Sequence, residues 1–170
     1  EMRDMSKMWL DEAWGEGRHV KRVEKIDDHS GIVLTNGVFD ILHKGHIELL
    51  KFSKNQGDKL IVAIDSDERV RQLKGEDRPI NNEEDRRKVL ETNRYVDSVV
   101  TFNSSEELKT LYETLCPDVV VKGSEWTADE LRERDEIPDT IQVKVYPLVG
   151  DYSTTNTMEK IRNMGSCEKI

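Results

Sequence analysis

The apolar positions of the chain fall into five short runs with helical spacing between them. Ile32-Val33-Leu34 opens the series, within a strand predicted over 31–39. Lys59-Leu60-Ile61-Val62-Ala63-Ile64, Ser98-Val99-Val100-Thr101-Phe102, Asp118-Val119-Val120-Val121 and Ile141-Gln142-Val143-Lys144-Val145-Tyr146 follow. Short runs this rich in Val and Ile read as buried strands. The intervals read as helices. Ile47, Leu50 and Phe52 space a helix over 44–56, ended by Gly57-Asp58. Asp65-Ser66-Asp67 caps a short helix through Leu73. Asn82 is an N-cap, with Glu83, Glu84 and Asp85 in the favourable first turn, for a helix to about Arg94. Ser104 and Glu107 fit a capping box ahead of Leu108, Leu111 and Leu115, which share one face; Cys116-Pro117 stops that helix. Thr127 and Glu130 fit a second box, and Ser153 caps a last helix carrying Met158 and Ile161.

Five strands joined by helices of this length imply right-handed crossovers and a parallel sheet covered on both faces. The fold class expected is α/β: a Rossmann-like α/β/α sandwich on a five-stranded parallel sheet, occupying 31–170. Residues 1–30 form a charged N-terminal extension. Met5, Met8, Trp9 and Trp14 there suit one side of a short helix, with a packing role. The chain opens on Glu1, so an initiator or tag residue is expected ahead of it. In such sheets ligands bind beyond the carboxyl ends of the strands, at the switch in strand order. Four polar motifs follow strands: His43 to His46, the loop around Arg78, Lys122-Gly123, and Ser153 to Asn156.

Composition narrows the partners. A chain of 170 residues suffices for one domain with its own core. Charged residues make up 36% and the formal net charge is -9, which disfavours nucleic acid and leaves a small anionic substrate open. Two cysteines, Cys116 and Cys167, give no disulfide framework, in keeping with a reducing cytoplasm. No apolar run is long enough to span a membrane, and 1–30 lacks a signal-peptide core, so no membrane partner is expected.

Thr35-Asn36-Gly37-Val38-Phe39-Asp40-Ile41-Leu42-His43-Lys44-Gly45-His46 carries the most chemistry. A strand, a short turn and a helix N-terminus form a ready anion site, because the first-turn N–H groups are free and the peptide dipole is positive there. Two imidazoles and the Lys44 ammonium add donors, and Gly45 lets a ligand approach the backbone. A zinc site needs three or four ligands, and no cysteine or third histidine lies nearby. Ser153, Thr154 and Thr155 place hydroxyls at a second helix N-terminus, where an ordinary N-cap would account for them if they stood alone.

Gly37-x-Phe39-Asp40-x-x-His43-x-Gly45-His46 resembles the signature of the cytidylyltransferase-like nucleotidyltransferases, and the resemblance covers about 31–161. Leu73-Lys74-Gly75-x-x-Arg78-Pro79-x-Asn81, Val121-Lys122-Gly123 and Asn156 after Ser-Thr-Thr look particularly like the adenylyltransferase domain that activates heptose 1-phosphate in lipopolysaccharide synthesis. Arg94-Tyr95-Val96-Asp97 and Trp126 are similar instead to glycerol-3-phosphate cytidylyltransferases. Those enzymes carry an arginine ahead of Ser-Thr-Thr, where this chain has Leu148-Val149-Gly150-Asp151-Tyr152.

The resemblance implies transfer of a nucleotidyl group from a nucleoside triphosphate to a phosphorylated sugar, with release of pyrophosphate. ATP with D-glycero-D-manno-heptose 1-phosphate, giving ADP-heptose, is the leading pair. CTP with glycerol 3-phosphate or a related alcohol phosphate is the alternative, and a nucleotide-binding module without catalysis is a third. The resemblance gives His43, His46 and Lys44 catalytic roles at the phosphates. Thr35, Asn36, Gly37, Phe39, Gly45, Lys122, Gly123, Ser153, Thr154 and Thr155 would hold the nucleotide, and Lys74, Arg78 and Arg94 the substrate phosphates. Asp40 is expected as a helix-entry cap or a histidine orienter. Mg²⁺ would bridge the triphosphate without side-chain ligands from the chain. A domain without its kinase half fits the length, and a homodimer is expected from the relatives.

Overall fold

A computed structural model describes residues 31–123, 126–147 and 153–165. The extension expected over 1–30, with Met5, Met8, Trp9 and Trp14, lies outside the described residues, as do Leu148 to Tyr152 and Cys167. The described residues form five strands and six helices, in the order β1 (Ile32–Gly37), α1 (Lys44–Lys54), β2 (Lys59–Asp65), α2 (Asp67–Lys74), α3 (Glu83–Glu91), β3 (Ser98–Phe102), α4 (Ser105–Leu115), β4 (Val119–Gly123), α5 (Ala128–Arg134), β5 (Gln142–Tyr146) and α6 (Thr154–Gly165). All pairs are parallel, and the sheet order is β3-β2-β1-β4-β5. The five-stranded α/β sandwich expected from the apolar pattern is the fold observed. The strand order switches between β1 and β4, so the crevice lies at the carboxyl ends of those strands.

The core explains why the pattern was so plain. Val33 and Leu34 are successive residues on opposite faces of β1, and both are fully buried, as are Leu60, Ile61, Val62, Ala63 and Ile64 of β2. A strand covered on both faces has no reason to alternate with polar residues. The Gly57 turn is backbone-tight. A Cβ there would come within 2.5 Å of the Gly31 carbonyl oxygen, so only glycine lets the chain enter β2 beside β1.

Helix ends follow their local chemistry with small differences. α1 stops at Lys54 with Asn55 as C-cap, and α3 stops at Glu91 with Thr92 as C-cap, three residues before Arg94. The Thr127–Glu130 box forms in full. At α4 only half of the expected box forms. Ser104 accepts from the Glu107 amide (3.1 Å), but the Glu107 carboxylate takes the amide of Asn103 (2.7 Å). No helix among the described residues is long and apolar enough to cross a membrane.

Candidate active site

The site begins where β1 ends. Phe39 takes a left-handed backbone (φ 49°), a costly conformation for a bulky residue, and the chain turns there toward α1. The Phe39 ring is buried and packs 5.1 Å from the His46 ring. It also lies over Gly37, where a Cβ would sit 3.3 Å from it. Glycine at 37 thus makes room for the ring that supports the histidine.

His43 is the N-cap of α1 and His46 its third residue, so both imidazoles stand at the helix N-terminus. Their rings stack at 3.8 Å with 20° between planes. The His43 amide donates to Nδ1 of His46 (3.4 Å), which leaves the neutral ring's proton on Nε2. Burial, helped by the repulsion of His43 and Lys74 and opposed by a backbone hydrogen bond at Ile41, pushes the His46 pKa down to about 4. Burial lowers the pKa of His43 as well. Two imidazoles facing each other at the positive end of a helix have good reason to stay neutral. A neutral imidazole carries one N–H, and an oxyanion that takes the one on His46 displaces the Ile41 carbonyl.

A cavity of about 870 Å³ opens over this pair. The α6 N-terminus reaches the same space, and Ser153, Thr154 and Thr155 line it with His43, Gly45 and His46. Ser153 Oγ accepts from the Asn156 amide (3.0 Å), so it is the N-cap expected. Thr154 Oγ1 is 3.5 Å from the Ile41 carbonyl, a link between α6 and the histidine loop. Two helix N-termini therefore converge on one cavity, as a polyphosphate requires.

A family model described as cytidylyltransferase-like matches residues 34–163, the whole stretch from β1 to α6. The chain belongs to the cytidylyltransferase-like family. Its relatives include the bifunctional protein HldE of Koribacter versatilis, 45% identical over 130 residues, 76% of this chain and 26% of the relative. The HldE of Campylobacter fetus is 38% identical over 167 residues, 89% of this chain and 36% of the relative. The chain thus spans about a quarter to a third of these curated relatives. A lipopolysaccharide core biosynthesis protein from Thermoplasma volcanium superposes with TM-score 0.57 at 31% identity, covering 72% of this chain and 98% of that one. A pantothenate synthetase from Thermus thermophilus shares the fold alone (TM-score 0.50, 14% identity, 78% of this chain and 65% of that one).

Most of the predicted residues of this nucleotidyltransferase domain meet at the cavity. Asn36, Gly37, Phe39, His43, Gly45, His46, Lys74, Lys122, Gly123, Ser153, Thr154 and Thr155 line it. Thr35, Lys44, Arg78 and Arg94 do not. Thr35 is fully buried inside β1, and Lys44 is exposed. Arg94 is exposed in the turn before β3, beside Asp97, whose amide donates to the Leu60 carbonyl. That turn is at the amino ends of the strands, across the sheet from the histidines.

Asp40 is neither a helix cap nor a histidine partner. Its buried carboxylate accepts from the amides of Ile80 and Asn81 (2.8 Å each) and from Nε of Arg78 (3.2 Å). Arg78, expected at the substrate phosphates, is the cation of this brace. Lys74 does face the cavity; burial, reinforced by the nearby Arg78, lowers its pKa.

Other lining residues carried no motif: Asp65, Arg69, Ser105, Arg134 and Asp135. Asp135 pairs with Lys122 (2.5 Å), whose pKa burial lowers against the pull of that carboxylate. For Asp135 burial acts upward, but Arg134 and Lys122 together hold its pKa below the usual value. Arg86 carries no motif either, because its stretch reads as a solvated charged helix. The available signal was its place four residues before Leu90, on the face that packs inward.

Proposed function

We propose that this domain joins a nucleoside triphosphate to a sugar 1-phosphate and releases pyrophosphate, with ATP and D-glycero-D-manno-heptose 1-phosphate as the pair. The observation that carries it is the stacked His43–His46 pair at the head of α1, sharing one cavity with the head of α6. Relatives named HldE and a neighbour described by lipopolysaccharide core biosynthesis support the choice of acceptor.

An acceptor phosphate oxygen attacks the α-phosphorus as the bond from that phosphorus to the α,β-bridging oxygen breaks. Pyrophosphate carries away the electron pair. Both reactants are anions, so placement and charge neutralisation are what the protein must supply. His43 and His46 donate to the α-phosphoryl oxygens as charge grows on them. Ser153 to Thr155 and the free amides of α6 hold the outer phosphates. A phosphate beside Lys74 acts against the burial that lowers its pKa and favours the charged ammonium.

Mg²⁺ supplies further charge neutralisation on the triphosphate. Among the described residues no group of three or more His, Cys, Asp and Glu is arranged to hold a metal. Asp40 is committed to the 78–81 loop, Asp65 to Arg69 and Asp135 to Lys122. The donor set thus suits an ion that enters with the nucleotide.

The test is pyrophosphate release with ATP and with CTP, each against heptose 1-phosphate, other sugar 1-phosphates and glycerol 3-phosphate. Turnover with ATP and a sugar 1-phosphate is expected. Turnover confined to CTP and glycerol 3-phosphate would move the domain to the alcohol-phosphate branch. Nucleotide binding with no turnover for any pair would contradict the proposal.

A further inference from the structure

The same cavity is also lined by ion pairs that the phosphate chemistry does not use. On one side of β1, at the end of β2, Asp65 holds Nε of Arg69 at 2.8 Å. On the other side, at the end of β4, Asp135 holds Lys122 at 2.5 Å and Nε of Arg134 at 2.8 Å. Arg134 lies 5.1 Å over the ring of Trp126. Asn36 is the last residue but one of β1, the strand between β2 and β4, and its amide oxygen is buried with no hydrogen-bond partner among the described residues.

These charges are already matched within the protein, so they are poorly suited to capture another phosphate. They suit hydroxyl groups. A hydroxyl donates one hydrogen bond and accepts others, and an acid–guanidinium pair offers an acceptor and a donor side by side. Two such pairs with an aromatic ring beside one of them match a ring bearing several hydroxyls. A short alcohol could engage only one wall.

Resting on the function proposed above, we propose that Arg134 and Asp135, which line the same cavity as Asp65 and Arg69, read the hydroxyls of the sugar acceptor and set its specificity. The phosphates stay at the histidine end. A site built to hydrogen-bond a hydroxyl rejects an analogue lacking it far more strongly than an apolar pocket rejects one extra group. Discrimination between sugars therefore belongs to this wall.

The test separates the two substrates. Calorimetric binding of ATP alone, and of mannose 1-phosphate and 6-deoxymannose 1-phosphate alone, is compared for wild type, Arg134→Ala and Arg134→Lys, with KM and kcat beside it. Arg134 is half exposed, so its removal spares the fold, and thermal unfolding checks this. The expected result for Arg134→Ala is sugar phosphate binding weaker by about tenfold or more, with ATP affinity within about twofold of wild type. The preference for the hydroxylated over the deoxy sugar shrinks, and Arg134→Lys restores part of it. Weakened ATP with unchanged sugar phosphate, equal losses for both, or no change would overturn the assignment. So would a wild-type protein that binds ATP and no sugar phosphate. Intact, Arg134-dependent sugar binding without turnover would instead contradict the proposed reaction and leave this assignment standing.

Discussion

Nη1 of Arg86 lies 2.7 Å from the carbonyl oxygen of Val38, which joins α3 to the loop that carries the histidines. The same guanidinium donates to the carbonyls of Asp65 (2.8 Å) and Asn81 (3.0 Å) and pairs with Asp67 (2.7 Å). Its side chain is fully buried. The carboxyl ends of β1 and β2 and the 78–81 loop are thereby held by one residue. A buried charge is tolerable only because every direction of the fork has a partner.

Arg86→Ala leaves three carbonyls and a carboxylate without their donor. A loss of about 3 kcal/mol or more is expected in urea denaturation. Arg86→Lys keeps the charge but not the fork, and recovers less than half of that loss. A midpoint for Arg86→Ala close to wild type would mean that the 38, 65 and 81 carbonyls find other donors.

Asp40 gives a second prediction, because its two oxygens take four donors, from Arg78, Ile80 and the amide and side chain of Asn81. Asp40→Asn keeps the size but turns an amide N–H toward one of the amides of Ile80 and Asn81. A loss of about 2 kcal/mol is expected. Hydrogen exchange at Ile80 and Asn81 quickens, while amides in β2 keep their protection. Unchanged exchange at those two positions would remove Asp40 from the brace.

The resemblance gives Arg78, Arg94 and Lys74 one role at the substrate phosphates, and the structure separates them. Lys74→Ala is expected to lower kcat/KM by about tenfold or more, since it faces the cavity. Arg94→Ala should stay within about twofold of wild type. Steady-state kinetics decides this, and a large loss from Arg94→Ala would place its guanidinium at a substrate after all.

The fold was legible because a sheet buried on both faces writes its strands as uninterrupted apolar runs. The histidine end was legible because His43, Gly45 and His46 are adjacent in sequence as well as in space. The braces were not. Asp40 with Asn81, and Arg86 with Val38, join segments about forty to fifty residues apart, and nothing local distinguishes Arg86 from Arg87 except its helical phase. The wall proposed to read the sugar was hidden for the same reason. Lys122 and Asp135 come from β4 and the end of α5, and only the fold sets them 2.5 Å apart.

His46 makes stability depend on pH. Its pKa is about 4 folded and about 6.5 unfolded, so between those values the unfolded chain binds more protons. The stabilisation is fully present above about pH 6.5 and is lost as pH falls toward 4, by up to about 3 kcal/mol. His46→Gln should flatten that slope in urea titrations from pH 7 to 4. A bound triphosphate favours the protonated ring, so nucleotide binding near pH 5 should take up protons, seen as a buffer-dependent binding enthalpy. Binding enthalpies independent of buffer would show that the phosphates stay away from this ring.

The most direct measurement is pyrophosphate release from ATP and heptose 1-phosphate by wild type and His46→Ala, matched by thermal unfolding and by ATP binding. Turnover in the wild type, with loss of roughly a hundredfold or more in a variant that still folds and still binds ATP, is the predicted result. Near-normal turnover in His46→Ala would contradict a phosphoryl role for the stacked pair.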